Sequence, residues 1–412
     1  MNKVAEACIL DLAGAKAGRL RYFAIASAAL LMPFRGSAAL LEDNRRFQPV
    51  IDEAAAAGLP GVQAFVRQGT ARWSGTAGFA SIEMKRRMSS ADRLRLASLT
   101  KMMTSAVTLE LVKLGRFKLE DRAVALLPPG ALNGIPHAEK ITVAHLLDHT
   151  SGLHNFNGDD SRDFFRELYN HPRRGRLLWT SAELLSFAKK PEHSATGRPG
   201  EKKSYSSTGY IVLEMILEHR EGKPFADLFR EHLFAPLQMN KAGVEGIDLQ
   251  RSDIADSYAR PERSEWGAPS PFADRKEIRP DGLVNLSAGL DHYNAWARAA
   301  GAVAANAEDL GQFMDAVTTG RFSVMTNQQA QFAAATLRPG AMFDWNGGSR
   351  GIQTTILYEP HRNLTVVVLT NASNAGPSSH DLARQLLTVA RGDNDLRTQA
   401  HAVLRRIPAL IL

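Results

Sequence analysis

Ser98 and Lys101 stand three residues apart in the run Leu96-Ala97-Ser98-Leu99-Thr100-Lys101. On a helix, residues i and i+3 share a face, so this spacing sets a lysine amine beside a serine hydroxyl. A serine hydroxyl is a weak nucleophile until a base takes its proton, and a lysine of lowered pKa can do that. A serine at the start of a helix also lies where backbone N–H groups face developing negative charge. The pattern is short, and Ser186-Phe187-Ala188-Lys189 repeats it. Context separates the two. Ser98 falls between a strand-rich stretch and a strongly apolar helical one, whereas Ser186 falls mid-helix, behind Ser181 as the expected cap, with no strand before it.

The elements that must position Ser98 follow from periodicity and punctuation. Gly61–Gly69 and Ala71–Phe79 read as a β-hairpin broken at 68–70. Ser98–Leu114 reads as a helix with Gly115 just past its end. Between about 125 and 300 helical patterns dominate, including Ser181–Lys189, Tyr210–Glu221 and Pro224–Phe234. Arg251–Pro280 is dense in Arg, Pro, Ser and Asp and reads as a long surface loop. Gly351–Tyr358 and Leu364–Thr370 read as strands flanking a turn, and the run through Val366, Val367 and Val368 is apolar enough to be buried on both faces. A last helix, about Asp381–Ala390, has Ser378 or Ser379 as its N-cap. Strands at both ends of the chain and helices between them imply one sheet built from both termini. The expected division is an α/β sheet domain from 40–125 and 300–412, with a mainly helical domain at 126–299 inserted into it.

The chain has 412 residues, 44% of them hydrophobic and 23% charged, which excludes collagen-like, disordered and polytopic membrane classes. Part of its formal charge of +7 sits in the first 39 residues, where Lys3, Lys16, Arg19, Arg21 and Arg35 stand against Glu6 and Asp11, and the remaining bases are spread along the chain among acids, without the Lys/Arg stripe and interleaved aromatics of a nucleic-acid binder. The single cysteine, Cys8, excludes a disulfide framework. Arg19 and Arg21 precede an uncharged stretch, Tyr22–Phe34, and Gly36, Ser37, Ala38 and Ala39 follow it. A basic flank, a short apolar run and a small-residue exit read as a secretory signal over 1–39. The run is also shorter than the roughly 20 residues a membrane span needs. A periplasmic or otherwise exported protein is the expectation.

Several blocks, in order, resemble the serine β-lactamase and penicillin-binding-protein superfamily, in its class C and DD-peptidase-like branch. Leu96–Lys101 is similar to the nucleophile block. Leu109 to Asp121 continues it. Leu146-Leu147-Asp148-His149-Thr150-Ser151-Gly152-Leu153, Tyr205-Ser206-Ser207-Thr208-Gly209-Tyr210, Phe234–Met239 and Ala300-Gly301 through Leu310 follow. Asn346-Gly347-Gly348, with Gly351 after it, falls where the third active-site motif belongs. The resemblance covers about 46 to 390. It implies an α/β (α+β) fold of the β-lactamase/transpeptidase type, an antiparallel sheet with flanking helices and a helical insert. It also implies an acyl-enzyme on Ser98, Lys101 as its proton partner and Tyr205 as a phenol that shuttles protons near the leaving group. How Lys101 and Tyr205 share the proton stays open. Substrate-binding positions implied are Ser207, Asn346, Gly347, Gly348 and Ser349, with an oxyanion hole from the Ser98 N–H and an N–H near Gly348–Ser349.

Two positions depart from the pattern. Ser207 stands where the family has Asn, and Asn346 where the third motif has Lys or His. A neutral Asn346 weakens attraction for carboxylate-bearing substrates, and Arg350 is the nearby candidate to replace the charge. Trp345, adjoining the motif, is the candidate wall of an acyl pocket. His145, His149 and His154 invite a zinc reading, but no H-E-x-x-H or carboxylate partner accompanies them, and they read as structural. The expectation is a serine hydrolase acting on a small ester or amide or a peptidoglycan-type peptide, without cofactor or metal. Its rival is a catalytically weak binding or regulatory protein that retains the fold.

Overall fold

The computed structural model describes residues 44–392 apart from 159–162, 165–166, 169–177, 191–194, 261–277 and 289–292. The expected signal at 1–39 lies outside the described residues.

A six-stranded antiparallel sheet organises the chain. Its strands are β1 (Gly61–Gln68), β2 (Ala71–Ser81), β3 (Arg86–Arg87), β9 (Phe343–Ser349), β10 (Ile352–Glu359) and β11 (Leu364–Thr370), in the order β3-β2-β1-β11-β10-β9. Early and late strands meet at the centre, where β1 pairs with β11 from Val62↔Thr370 to Gln68↔Leu364. Both are buried along their whole length. Alternation sorts their side chains into two cores. Val62, Ala64, Val66, Val366 and Val368 pack beneath α1 (Asn44–Ala56) and α9 (Ser379–Arg391), the first and last described helices. Phe65, Val367 and Leu369 face the larger core shared with the helical part. Helix α9 starts where expected: Ser378 caps it by accepting from the Asp381 N–H at 3.1 Å.

Two three-stranded sheets complete the frame. One joins β4 (Leu94–Arg95) to β8 (Val303–Ala305) and β5 (Gly243–Val244). The other joins β12 (Ala372–Ser373), β6 (Tyr258–Ala259) and β7 (Val284–Asn285). The β6 strand corrects the expected surface loop over Arg251–Pro280. Tyr258 is fully buried; its phenol donates to Glu83 at 2.6 Å and accepts the Ile82 N–H at 2.8 Å. This end of a polar sequence run is thus drawn inside because Tyr258 finds hydrogen-bond partners there. The stretch 261–277 lies outside the described residues.

Helices fill the space between 100 and 336: α2 (Thr100–Lys113), α3 (Val143–Leu147), α4 (Ser181–Ala188), α5 (Ser207–Glu221), α6 (Phe225–Phe229), α7 (Ala307–Thr318) and α8 (Gln328–Thr336). The α6 helix passes into a π-turn, Arg230–Phe234, so the helical stretch expected over Pro224–Phe234 is two elements. The cap of α4 is Thr180 rather than Ser181: its side chain accepts from Glu183 N while the Glu183 carboxylate takes the Thr180 N–H. That reciprocal pair is a capping box, and it frees the Ser181 hydroxyl for another partner.

Candidate active site

Strand β4 delivers the nucleophile turn. The Leu96 N–H donates to Val303 O at 2.9 Å, and a 3-10 segment, Ala97–Leu99, then runs directly into α2. Ala97 has φ 47°, a left-handed conformation that costs a non-glycine residue about 1–3 kcal/mol. The sharp turn leaves Ser98 half-buried at the mouth of a cleft, with α2 behind it. Beneath it, the buried Arg95 grips Glu245 through two nitrogens at 2.8 and 2.7 Å, tying β4 to the end of β5.

The serine's two partners come from different elements. Lys101 lies one helical turn on, buried, with Nζ 3.4 Å from Ser98 Oγ and donating to the Ala300 carbonyl at 2.7 Å. Tyr205 precedes α5, and its phenol sits 2.7 Å from Ser98 Oγ. The Lys101 ammonium also lies 4.9 Å from the centre of the Tyr205 ring. Burial lowers the Lys101 pKa, and the neighbouring Tyr205 offsets that only partly. Burial by itself would raise the Tyr205 phenol. The Lys101 charge and hydrogen bonds with Lys101, Ser98 and Ser207 outweigh it and bring the pKa below the usual tyrosine value. Amine and phenol are each moved toward the pKa that proton exchange with a serine requires.

A loop backs Tyr205. The His149 ring lies 4.6 Å from the Tyr205 ring and 5.2 Å from that of Tyr210. Its Nδ1 accepts the Ser206 N–H at 3.2 Å. Burial, with the charges of Lys101 and Lys203, pushes its pKa down to about 4, so it is neutral at physiological pH. Thr208 ties the loop to α5 by donating to His154 O at 2.6 Å and accepting the Phe156 N–H at 3.0 Å. His145 closes the capping box of α3 with Thr142. The histidines at 145 and 149 are thus occupied by backbone, and no group of three potential metal ligands lies together among the described residues.

Strand β9 forms the opposite wall. A Cβ on Gly347 would lie 2.3 Å from Leu96 O and 3.1 Å from Leu99 N, so only glycine lets the strand meet the nucleophile turn. Side chains alternate along a strand. With Gly347 against the turn, Trp345 and Ser349 share its face, while Asn346 and Gly348 face the other way. Asn346 accordingly accepts from Thr355 Oγ1 at 2.9 Å and donates to Asp344 at 2.6 Å. Thr355 in turn meets Ser379, at the start of α9. This corrects the expectation that Asn346 faces a substrate carboxylate. The strand position on the cleft face is Trp345, which stacks on Phe343 with centroids 5.6 Å apart and planes at 14°.

Ser207 is buried at the start of α5, its N–H bonded to Asn155 Oδ1 at 2.8 Å, and its hydroxyl beside Tyr205. Gly347-Gly348-Ser349-Arg350-Gly351 also matches G-x-S-x-G, a pattern that sequence reasoning missed. It runs from β9 into a β-turn toward β10, with Gly351 at φ 68°, not from a strand into a helix as a nucleophile elbow does. Ser186 is apart from all this: its hydroxyl donates to Glu183 O at 2.6 Å, and Lys189 reaches Ala131 O at 2.8 Å.

This fold, with a serine, lysine and tyrosine converging at its cleft, defines a class, and comparison with known proteins agrees. The β-lactamase family model matches residues 47–391. The chain belongs to the β-lactamase family. It is 27% identical over 273 residues to penicillin-binding protein 4* of Bacillus subtilis, covering 66% of this chain and 55% of that protein. It is 33% identical over 146 residues to the D-alanyl-D-alanine-carboxypeptidase/endopeptidase AmpH of Escherichia coli, covering 35% of each. The matched segment therefore spans about half, or about a third, of these relatives. Among solved structures, D-amino acid amidase of Ochrobactrum anthropi SV3 superposes with a TM-score of 0.67 at 21% identity, over 85% of this chain and 99% of that one.

Proposed function

We propose that the protein is an exported serine hydrolase that cleaves neutral esters or amides through an acyl-enzyme on Ser98. The observation that carries this reading is the convergence of Tyr205 and Lys101 on the Ser98 hydroxyl. Ser98 Oγ attacks the carbonyl carbon as its proton passes to the Lys101–Tyr205 pair, and the shorter contact makes Tyr205 the immediate acceptor. The oxyanion is met by the Ser98 N–H and by an edge N–H of β9, each such donor being worth roughly 3–4 kcal/mol. The tetrahedral intermediate collapses, the acyl–leaving-group bond breaks, and the same pair returns the proton to the departing oxygen or nitrogen. A water then repeats the sequence on the acyl-enzyme and releases the acid.

Substrate charge is read from the cleft face of β9. Trp345 occupies it and supplies no cation, which favours a substrate that carries no carboxylate and has an apolar surface to lay against an indole. The relatives' names include D-alanyl-D-alanine carboxypeptidase and D-amino acid amidase. A D-alanyl-D-alanine peptide ends in a carboxylate and an amino acid amide does not; the amide's one charge is its α-ammonium, which an indole face attracts, so the amide is the better match to a tryptophan wall. Export rests on the basic, apolar and small-residue pattern of 1–39.

The test is intact-mass analysis after exposure to a fluorophosphonate and, separately, to benzylpenicillin. Stoichiometric phosphonylation, mapped to Ser98, is expected, with slow or absent acylation by the penicillin. No adduct at Ser98 would overturn the acyl-enzyme. Envelope protein is expected to begin near residues 39–41, and an intact Met1 in the cytosolic fraction would overturn export.

A further inference from the structure

Glu214 is fully buried in α5, about two and a half turns beyond Tyr205. Its carboxylate accepts from Ser181 Oγ at 2.6 Å, Arg298 Nε at 2.5 Å and the Ala299 N–H at 2.9 Å. Arg298 also donates to Trp179 O at 3.1 Å and lies 5.2 Å from the centre of the Phe225 ring. A buried pair of this kind often stabilises no more than apolar packing would, so its presence points to a positional role. The backbone it holds is strained: Arg298 has φ 43° and ψ −135°. Strain of this kind persists only where surrounding contacts over-determine it. The two carbonyls that follow both meet α2. Ala299 O accepts from Thr104 Oγ1 at 2.6 Å, and Ala300 O accepts from Lys101 Nζ at 2.7 Å.

We propose that Glu214 and Arg298 are positioning residues: they clamp the strained 298–300 backbone so that the Ala300 carbonyl holds Lys101 Nζ beside Ser98. The inference rests on the reading of Ser98 and Lys101 given above. It explains why the partner of Lys101 is a backbone carbonyl on an irregular segment. It also explains how α5, which begins beside Tyr205, carries the support for Lys101 as well. One element then sets both proton carriers against one serine. An ångström of displacement at Lys101 would leave the hydroxyl without its second partner.

The pH profile separates this role from general support. Lys101 is faced by Tyr205, Tyr210 and His149, with Lys203 beyond the histidine. The Ala300 carbonyl stabilises the ammonium form more than the amine. With the clamp broken, the Lys101–Tyr205 pair gives up its proton more easily, and the acid limb of kcat/KM moves to lower pH. Glu214→Gln is expected to lower kcat about 10- to 100-fold per fluorophosphonate-titrated site, with KM changed less than about twofold. Its acid limb should fall by about half a pH unit or more. Arg298→Lys keeps the charge but not the forked grip, and is the second variant should Glu214→Gln fail to fold. It should show the same displacement, smaller. A wild-type limb in the folded variants, whether or not kcat falls, overturns the proposal. Ser98→Ala, run alongside, tests the underlying reading: activity surviving there removes the nucleophile assignment itself, whereas its loss with an unmoved Glu214→Gln limb removes only the clamp.

Discussion

The chain writes the same four-residue pattern twice, and the two copies meet opposite fates. At Ser186 the hydroxyl turns back to the carbonyl three residues earlier, on an exposed helix face, and Lys189 satisfies a carbonyl of a distant loop. At Ser98 the pattern straddles a strained turn and the first turn of α2, and both side chains face a phenol from another element. Burial lowers the pKa of both lysines, so a shifted amine does not make a site by itself. What differs is company. Lys101 has a hydroxyl and a phenol within reach, and Lys189 has a backbone oxygen.

The largest effect should come from the comparison itself. Ser98→Ala is expected to abolish fluorophosphonate labelling and to cut ester hydrolysis by about 10⁴-fold or more, the scale on which loss of a serine nucleophile acts. Ser186→Ala should leave both within twofold of wild type. Labelling that survives in Ser98→Ala, or vanishes in Ser186→Ala, would reverse the assignment.

Tyr205→Phe sharpens the comparison by removing the company and leaving the motif. Removing a general acid–base typically costs about 10²–10⁴-fold, and that range is expected in kcat. The acid limb of the wild-type profile should lie below the ordinary tyrosine and lysine ranges, because both groups are shifted down. Rates rise with pH as the pair loses a proton. A Tyr205→Phe enzyme with undiminished kcat would leave Lys101 as the sole proton carrier.

His149 gives the site region a pH dependence on the acid side of neutrality. Its pKa is near 4 when folded, against about 6.5 unfolded. The unfolded chain therefore binds the extra proton first as pH falls. The histidine's contribution is fully present above about 6.5 and is lost progressively down to about 4, up to about 3 kcal/mol. Asp309, whose carboxyl burial raises to about 6, works in the opposite sense over part of that window. Denaturant melts of wild type and His149→Gln at pH 7.5 and 4.5 isolate the histidine by subtraction. The variant should lose less stability between the two. Equal losses would mean that His149 is protonated in the folded protein.

How much of this was legible follows the reach of each signal. Strands β1, β2, β10 and β11 were readable because apolar runs and glycine or turn breaks are local. The serine, lysine and tyrosine were readable because their blocks are short and contiguous. The face on which Asn346 lies was not legible from its place in a motif block, because a one-residue difference in register reverses every side chain in a strand. The approach of Gly347 to Leu96 O shows which face meets the nucleophile turn, and it joins residues 251 positions apart in the chain. Tyr258 was lost in a polar run, since its partner Glu83 lies far away in sequence. Glu214 and Arg298 carry no motif at all, and their meaning exists only where α5 meets the 298–300 segment.

The smallest effect tests that register, and it does so on one strand. Trp345 and Asn346 are neighbours in sequence on opposite faces of β9. A lysine at 345 would bring an ammonium to the cleft, and at about 4 Å with an effective dielectric near 20 a unit pair interacts by about 4 kcal/mol before desolvation. A net 1.4 kcal/mol is already about tenfold in rate. Trp345→Lys is therefore expected to move the ratio of kcat/KM for benzylpenicillin over p-nitrophenyl acetate upward by about tenfold. Trp345→Ala separates the added charge from the lost stacking on Phe343. It should lower turnover of the aryl ester without raising that of the penicillin. Asn346→Lys puts the same charge toward Asp344, which already bonds His380 at 2.8 Å, beneath α9. There it is spent on a carboxylate of the opposite strand face, and the ratio should stay within twofold of wild type. Added salt should blunt the Trp345→Lys gain only partly, because a cleft screens less than open surface. If Asn346→Lys moves the ratio and Trp345→Lys does not, the register of β9 in solution differs by one residue and the neutral-substrate argument loses its residue.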